Sequence, residues 1–317
     1  MDWLRTGPMS FPVPILLIAF NRPAHTSRVL DSLRSIQPTQ VFVAADGPRQ
    51  GNENDVISCA DVKRIIVEQI DWPCQVLTRF NSVNMGCRKG VEQAIDWFFD
   101  EVEEGIILED DVVPTRDFFF YCQELLERHR FDQRIGSISG NCFLPTGVQI
   151  DESYYFSMYT HCWGWATWRR AWRCYDKDML QWIDFRNCGW VEMLAGKEAA
   201  NYWRRLIDQV YLNVVDTWDL VWLYSCWKSG FLTCVASVEL IENIGFGLDA
   251  THTIDEVSPL DTPGILAFPL RHPSVWQSRR DFDVHTMKTH YHLSWVKKFS
   301  RKSRKLMRII RGQLGHV

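Results

Sequence analysis

The chain has 317 residues, 46% hydrophobic and 23% charged, which places it among ordinary globular proteins and is enough for one large domain or two small ones. Its net charge of −4 hides an uneven distribution: no Asp or Glu follows Asp283, whereas Lys288, Lys297, Lys298, Arg301, Lys302, Arg304, Lys305, Arg308 and Arg311 do. An acidic body argues against a nucleic-acid partner, and ten cysteines scattered without a C-x-x-C pair read as reduced thiols of a cytoplasmic protein, not as a disulfide framework.

Met1 to Ser10 lacks the apolar core of a signal peptide, and the first apolar run, Val13 to Phe20, contains Pro14 and leads into Asn21-Arg22-Pro23. No run approaches the roughly 18 to 20 apolar residues of a membrane span, so a soluble or peripheral protein is expected.

Strand and helix signals alternate over the first 140 residues or so, the pattern of an α/β sheet with parallel strands. Ile15 to Phe20 reads as a buried strand, and Ala24 to Ile36 as a helix with Val29, Leu30, Leu33 and Ile36 on one face. Val41 to Ala45 is a second strand, Val56 to Ile70 a helix, and Gln75 to Thr78 a short strand. Val91 to Val102 is a helix, Gly105 to Leu108 returns to the sheet, and Asp117 to Arg130 begins a helix behind Pro114 and Thr115. From His161 the texture changes. Ten of the fifteen tryptophans fall between Trp163 and Trp227, with helices expected around Lys197 to Tyr211 and Leu220 to Lys228, as in a second lobe packed on the first.

Ligands of open α/β sheets bind where strands end, and four polar signals sit there: Asn21-Arg22, Asp46-Gly47-Pro48, Asn84 to Lys89, and the triplet Glu109-Asp110-Asp111. Carboxylates at a strand end can share Mg²⁺ or Mn²⁺ with a diphosphate, because hard cations take oxygen ligands. The same triplet would also serve as a solvated turn or a charge pair at a helix start. Asp46 can accept from a base or a ribose hydroxyl, or act as an Asx-turn residue. Arg22 and Arg88 can fork onto phosphate, as can any surface arginine onto a carboxylate. Gly86, in Asn84-Met85-Gly86-Cys87-Arg88, lets backbone approach a ligand.

In the second half, Asp219 stands between aromatic neighbours at a helix start, where partial burial would raise its pKa and suit it to take a proton; a helix-capping role is equally open. His161, Trp163, Gly164 and Trp165 offer flat surfaces for a sugar ring, although tryptophan clusters also build cores. Gly245, Gly247, Asp249 and His252 form a polar loop that could close over phosphates.

Taken together, PILLIAFNRP (14–23), AADGP (44–48), ILEDDVVPTRDFF (107–119), CWGWATWRRAW (162–172) and WDLVW (218–222) resemble the inverting GT-A glycosyltransferases. The closest resemblance is to the N-acetylglucosaminyltransferase I group and its bacterial relatives, over roughly residues 12 to 255. It implies a nucleotide-diphospho-sugar transferase fold: a Rossmann-like mixed sheet with a helical, Trp-rich acceptor lobe. Residues 1–255 would be the catalytic domain, with a nucleotide-sugar half at 12–140, an acceptor half at 141–255, and an extension at 256–317. The resemblance implies that Asp111 ligates Mn²⁺ or Mg²⁺, that Glu109 and Asp110 lie near ribose and metal-bound water, and that Arg22 and Asp46 hold the nucleotide. Asp219 matches the family's catalytic base. Here the chain departs from the consecutive acidic pair that the family often shows before the second Trp.

The implied reaction is single displacement from a nucleotide-diphosphate sugar to a glycan or lipid-linked glycan hydroxyl. A sugar nucleotidyltransferase is the nearest alternative, but Asn21-Arg22-Pro23-Ala24-His25 is not the Gly-rich loop such enzymes carry; a non-catalytic carbohydrate-binding or scaffold protein is another. The tail from Leu293 to Leu314 mixes Trp295, Phe299, Leu306, Met307, Ile309 and Ile310 with its cations, as a basic amphipathic helix on the cytoplasmic face of an anionic membrane would, or a solvated tail.

Overall fold

The computed structural model describes residues 10–245 and 262–291. The loop positions Gly247, Asp249 and His252 and the basic tail from Leu293 onward lie outside the described residues.

The first half alternates as expected: β1 (Ile15–Ala19), α1 (Pro23–Arg34), β2 (Gln40–Ala45), α2 (Glu53–Gln69), β3 (Gln75–Phe80), α3 (Cys87–Glu101) and β4 (Glu104–Glu109). The chain continues through β5 (Val112–Pro114), α4 (Arg116–His129), β6 (Ile135–Ser139), β7 (Tyr154–Ser157) and β8 (Trp165–Trp168). Then come α5 (Arg169–Trp172), α6 (Trp182–Asn187), α7 (Trp190–Ala195), α8 (Lys197–Tyr211) and α9 (Asp219–Ser229). Last are β9 (Leu232–Ala236), β10 (Ile241–Asn243), α10 (Arg280–Thr286) and a π-helical turn over Met287–Tyr291.

Eight strands form one mixed sheet in the order β3-β2-β1-β4-β8-β6-β9-β7, and β10 pairs with β5 beside it. β3, β2, β1 and β4 are parallel, as the sequence predicts. β8 then runs antiparallel to β4 and β6, so the second half continues the sheet through its own strands.

Parallel strands covered on both faces need apolar residues at every position, which is why these runs read as continuous hydrophobic blocks. The side chains nonetheless divide by alternation. Ile15, Leu17, Val41, Val43, Ile106 and Leu108 pack with α1, α2 and α4, whereas Leu16, Phe42, Ala44 and Ile107 pack with α3, α5 and α9.

Local chemistry sets the helix starts. Pro23 opens α1 with its φ already helical. The Asn52 side chain accepts from the backbone N–H of Asp55 at 3.2 Å, and Thr115 Oγ1 from that of Phe118 at 3.4 Å.

The tryptophan-rich stretch is chiefly core. Trp165, Trp168, Trp182, Trp203 and Trp222 are fully buried, and each such indole removes roughly 150–250 Å² from water. A separate cluster joins Trp182, Trp203, Trp227 and Met287, tying α6 to α9 and the π-helical turn. Among the described residues, no helix is long and apolar enough to cross a membrane.

Candidate functional site

Because β1 to β4 run the same way, their carboxyl ends bring Arg22, Asp46, Asn84 and Glu109-Asp110-Asp111 to one edge of the sheet. β8 runs oppositely and pairs Trp165 with Ile107, so its beginning adds Trp163 and Gly164 to that edge.

Within the triplet the three carboxylates have different tasks. Asp110 is 8% exposed, and its Oδ2 accepts the backbone N–H of Phe20 at 2.9 Å, fastening the end of β4 to the end of β1. Burial, then repulsion from Asp111, pushes its carboxyl up to about 7, against the Phe20 N–H and Arg22. Asp111 pairs with Arg22, Nη1 to Oδ2 at 2.8 Å. Gly245 lies against the same carboxylate: a Cβ there would stand 2.3 Å from Asp111 Oδ2, so a larger residue would push the Asp111 side chain aside. Glu109, partly exposed, is held well above the usual carboxylate range by burial first, then by Asp111, Asp110 and Asp219.

Asp219 is among the charges that raise Glu109. It stands at the first position of α9, where the helix dipole favours an anion, and accepts the Thr217 hydroxyl. The partial burial expected for it is not found. Its carboxylate is exposed while Trp218 and Trp222 turn inward, because the first turn of a helix points its polar end to solvent.

Asp46 and Asn84 meet each other, and the Asp46 carboxylate, expected either to accept from a base or ribose or to act as a turn residue, is engaged by its own neighbouring loops. Asp46 accepts from Gly47 N at 2.9 Å, Asn81 Nδ2 at 3.1 Å, Asn84 Nδ2 at 2.9 Å and Met85 N at 3.0 Å. Its hydrogen-bonding capacity is spent holding the loop after β3 against the end of β2. Arg88 turns to Glu92, at 2.9 Å, and to the Lys177 carbonyl, which engage its guanidinium.

Trp165 offers no face to a sugar: it is 1% exposed and stacks on Trp218 with centroids 5.6 Å apart. His161 is buried, stacked on Phe143 at 3.7 Å. Trp163 is half-buried and meets His290 edge-on at 5.8 Å. Gly164 has φ +68°, and a Cβ there would lie 2.4 Å from Ile241 Cδ1, so glycine is required both by conformation and by space.

Sequence reasoning missed several residues of this crevice. Asp216 lies across the loop before α3, so that a Cβ on Gly86 would be 3.4 Å from its Oδ2. The signal was present in Asp216-Thr217-Trp218-Asp219, a second carboxylate on the same approach to α9. Cys87 sits among the acids: burial, with Glu109, Asp219, Asp216 and Asp111 adding to it, pushes its thiol up to about 12. Cys162 is also raised by burial and by Asp219. Such thiols are inert at neutral pH and serve as packing. Asp55, drawn down to about 2 chiefly by Arg49, holds the Asn21 amide at 2.8 Å and so fixes the chain leaving β1. All ten cysteines are free.

A groove of about 440 Å³ opens beside Asp216, between Lys89 and Glu92 of α3, residues 177–179, and Val210, Tyr211 and Asn213 at the end of α8.

Fold and site together define an α/β protein whose Rossmann-like half-sheet opens at its carboxyl edge into a carboxylate-rich crevice. No protein-family model matches the chain, and no curated protein matches it. Among solved structures, the chain is similar to S. aureus TarS 1–349, with 11% identity and a TM-score of 0.40 over 71% of this chain and 58% of that one. It is similar to the inositol-1-phosphate CTP transferase of T. maritima, with 8% identity and a TM-score of 0.36 over 72% of this chain and 86% of that one. It is also similar to HddC of Yersinia pseudotuberculosis, with 9% identity and a TM-score of 0.30 over 50% and 77%. Likenesses of this size are partial and assign no activity.

Proposed function

We propose that the chain is an inverting, metal-dependent glycosyltransferase of the GT-A type, moving a sugar from a nucleotide-diphosphate sugar to a hydroxyl of a glycan or lipid-linked glycan. The observation that supports it is that Asp219, at the start of α9, stands within electrostatic reach of Glu109 at the end of β4. On this reading Asp219 supplies the proton acceptor and the triplet the acidic strand end.

Among the described residues, no three His, Cys, Asp or Glu side chains converge on a point that could hold a metal ion. On this reading the cation brings most of its oxygen shell with it, as a diphosphate and waters would supply. Asp111 is the residue that would hold it, and Mn²⁺ or Mg²⁺ there would offset the charge of the departing nucleoside diphosphate. Arg22, already on Asp111, is placed to exchange part of that contact for a phosphate oxygen. Asp110 keeps β4 joined to β1, and Asp46 with Asn84 shapes the loop that would border the nucleotide.

The acceptor hydroxyl gives its proton to Asp219 while its oxygen bonds to the anomeric carbon. The bond from that carbon to the diphosphate breaks, and its electron pair leaves with the diphosphate. Attack opposite the leaving group inverts the anomeric configuration. The basic tail suits work at the cytoplasmic face of an anionic membrane.

The test is release of nucleoside diphosphate from a panel of nucleotide sugars with Mn²⁺. Wild type should release it from at least one donor, and Asp219→Asn should bind that donor unchanged while release falls roughly a hundredfold or more. Full release by Asp219→Asn would remove Asp219 from the base role; no release from any donor would count against transfer itself.

A further inference from the structure

Glu239, in the connection from β9 to β10, is a buried acid, 4% exposed, met by uncharged N–H groups. Its Oε1 accepts from Asn141 Nδ2 at 3.2 Å and from Ile241 N at 3.1 Å, and its Oε2 from Cys142 N at 3.0 Å. One carboxylate fastens the first residue of β10 to the chain leaving β6. The backbone follows the same seam: Leu240 N donates to the Gly140 carbonyl at 2.9 Å, and Gly140 N to the Gly164 carbonyl at 3.0 Å.

Packing alone does not ask for this arrangement. Burial pushes the Glu239 carboxyl up to about 7, against the pull of the Cys142 and Asn141 N–H groups. Among the described residues, Asn141 Oδ1 is buried without a hydrogen-bond partner. An acid buried among uncharged groups, beside an amide oxygen with no donor, costs stability that apolar side chains would not. What such a hydrogen-bonded cluster supplies is one fixed arrangement of the segments it joins.

The segment fixed here is β10. It has three residues and pairs with β5 alone, and a two-stranded ribbon is marginal by itself. Its register sets Asn243 opposite Val112, the residue after Asp111. Just beyond, Ile244 N donates to the Asp111 carbonyl at 2.9 Å, and Gly245 lies against the Asp111 carboxylate. The side chain of Ile241, whose N–H Glu239 holds, fills the space beside Gly140 and Gly164.

We infer that Glu239 is a positioning residue for Asp111: by locking the start of β10 to the exit of β6, its carboxylate sets where the end of β10 holds Asp111. The lock stands without the transferase reading; its effect on donor binding rests on that reading.

The experiment compares amide hydrogen exchange in wild type and Glu239→Gln, residue by residue, by NMR on the full chain. Gln keeps the shape but turns an NH₂ group toward one of the three donors. Ile241, Ile244 and Thr115, whose N–H groups reach Glu239, the Asp111 carbonyl and the Leu240 carbonyl, should exchange at least about tenfold faster, with the β1 and β4 amides unchanged. The same proteins are titrated with a panel of UDP- and GDP-sugars in Mn²⁺, which Glu239→Gln should bind about tenfold more weakly. Asn141→Ala removes one donor and leaves two; it should shift both readouts the same way by less, and it decides the question if Glu239→Gln does not fold. Wild-type exchange at Ile244 would overturn the proposal. Faster exchange with unchanged donor affinity would also overturn it, since Glu239 would then be structural only. If wild type binds no donor, the transferase reading fails, and exchange at Ile244 still decides whether Glu239 positions Asp111.

Discussion

Arg22 Nη1 lies 2.8 Å from Asp111 Oδ2, a contact between the exit of β1 and the exit of β4 across 89 residues of chain. Both side chains are partly open, 16% and 26% exposed, so the pair adds no more than about 1 kcal/mol to stability. On the proposed function its role is to hold a guanidinium for the donor diphosphate. Arg22→Gln should therefore unfold within about 1 kcal/mol of wild type, yet bind a nucleotide-sugar donor roughly ten- to a hundredfold more weakly, the loss of one charged hydrogen bond. Calorimetric titration beside urea denaturation separates the two effects. A large stability loss with intact donor affinity would make the pair structural.

Gly164 joins the crevice edge to β8 with φ +68° and no space for a methyl group. Gly164→Ala should cost roughly 2–4 kcal/mol, from overpacking against Ile241 and Val112 together with the left-handed backbone. Gly189 has φ +82° and nothing within 4 Å of its Cβ direction, so Gly189→Ala isolates the backbone part, roughly 1–2 kcal/mol. Urea midpoints for the two variants check the difference; equal losses would show that Ile241 yields freely.

His129 is fully buried, hydrogen-bonded at 3.2 Å to the Tyr154 hydroxyl. Burial, then Arg128, holds its pKa down to about 4 from the ordinary 6.5, with His272 and Arg170 adding to the shift and Asp132 opposing it. A lowered folded pKa means that the unfolded chain binds the proton first. The stabilisation is present above about pH 6.5 and is lost as pH falls toward 4, on the order of 3 kcal/mol in all. His129→Phe, packed among Tyr154, Phe156 and Trp276, should lose less stability than wild type between pH 7 and 4 by about that amount. Parallel stability curves for the two proteins would contradict it.

The parallel half of the sheet is legible in the sequence because strands buried on both faces must be apolar throughout, and Pro23, Gly86 and Pro114 punctuate them. The triplet's position follows from the same logic. β6 and β7 are harder to read: Ile135-Gly136-Ser137-Ile138-Ser139 and Tyr154-Tyr155-Phe156-Ser157 are short, and β9 joins both only after the chain returns from α9.

Individual side chains were less legible than strand ends. Asp46 stands where a ligand-facing acid belongs, but its donors Asn81, Asn84 and Met85 come from 35 to 39 residues away. Trp165 looks like a stacking platform until Trp218 is found lying on it. Asp216 joins the crevice only because the segment before α9 folds back over Gly86. Spacing along the chain carries none of these three relationships, since each depends on a tertiary return.

The most direct measurement of the central claim is thermal denaturation of wild type and Asp111→Ala with a panel of nucleotide-diphosphate sugars, each with and without Mn²⁺. A ligand that binds the folded state raises its melting temperature. Wild type should be stabilised by at least one donor, more strongly with the cation, and Asp111→Ala should lose the cation-dependent part while still folding. Equal cation-dependent stabilisation of both proteins would show that Asp111 is not the ligand and that the crevice at the end of β4 is not the donor site.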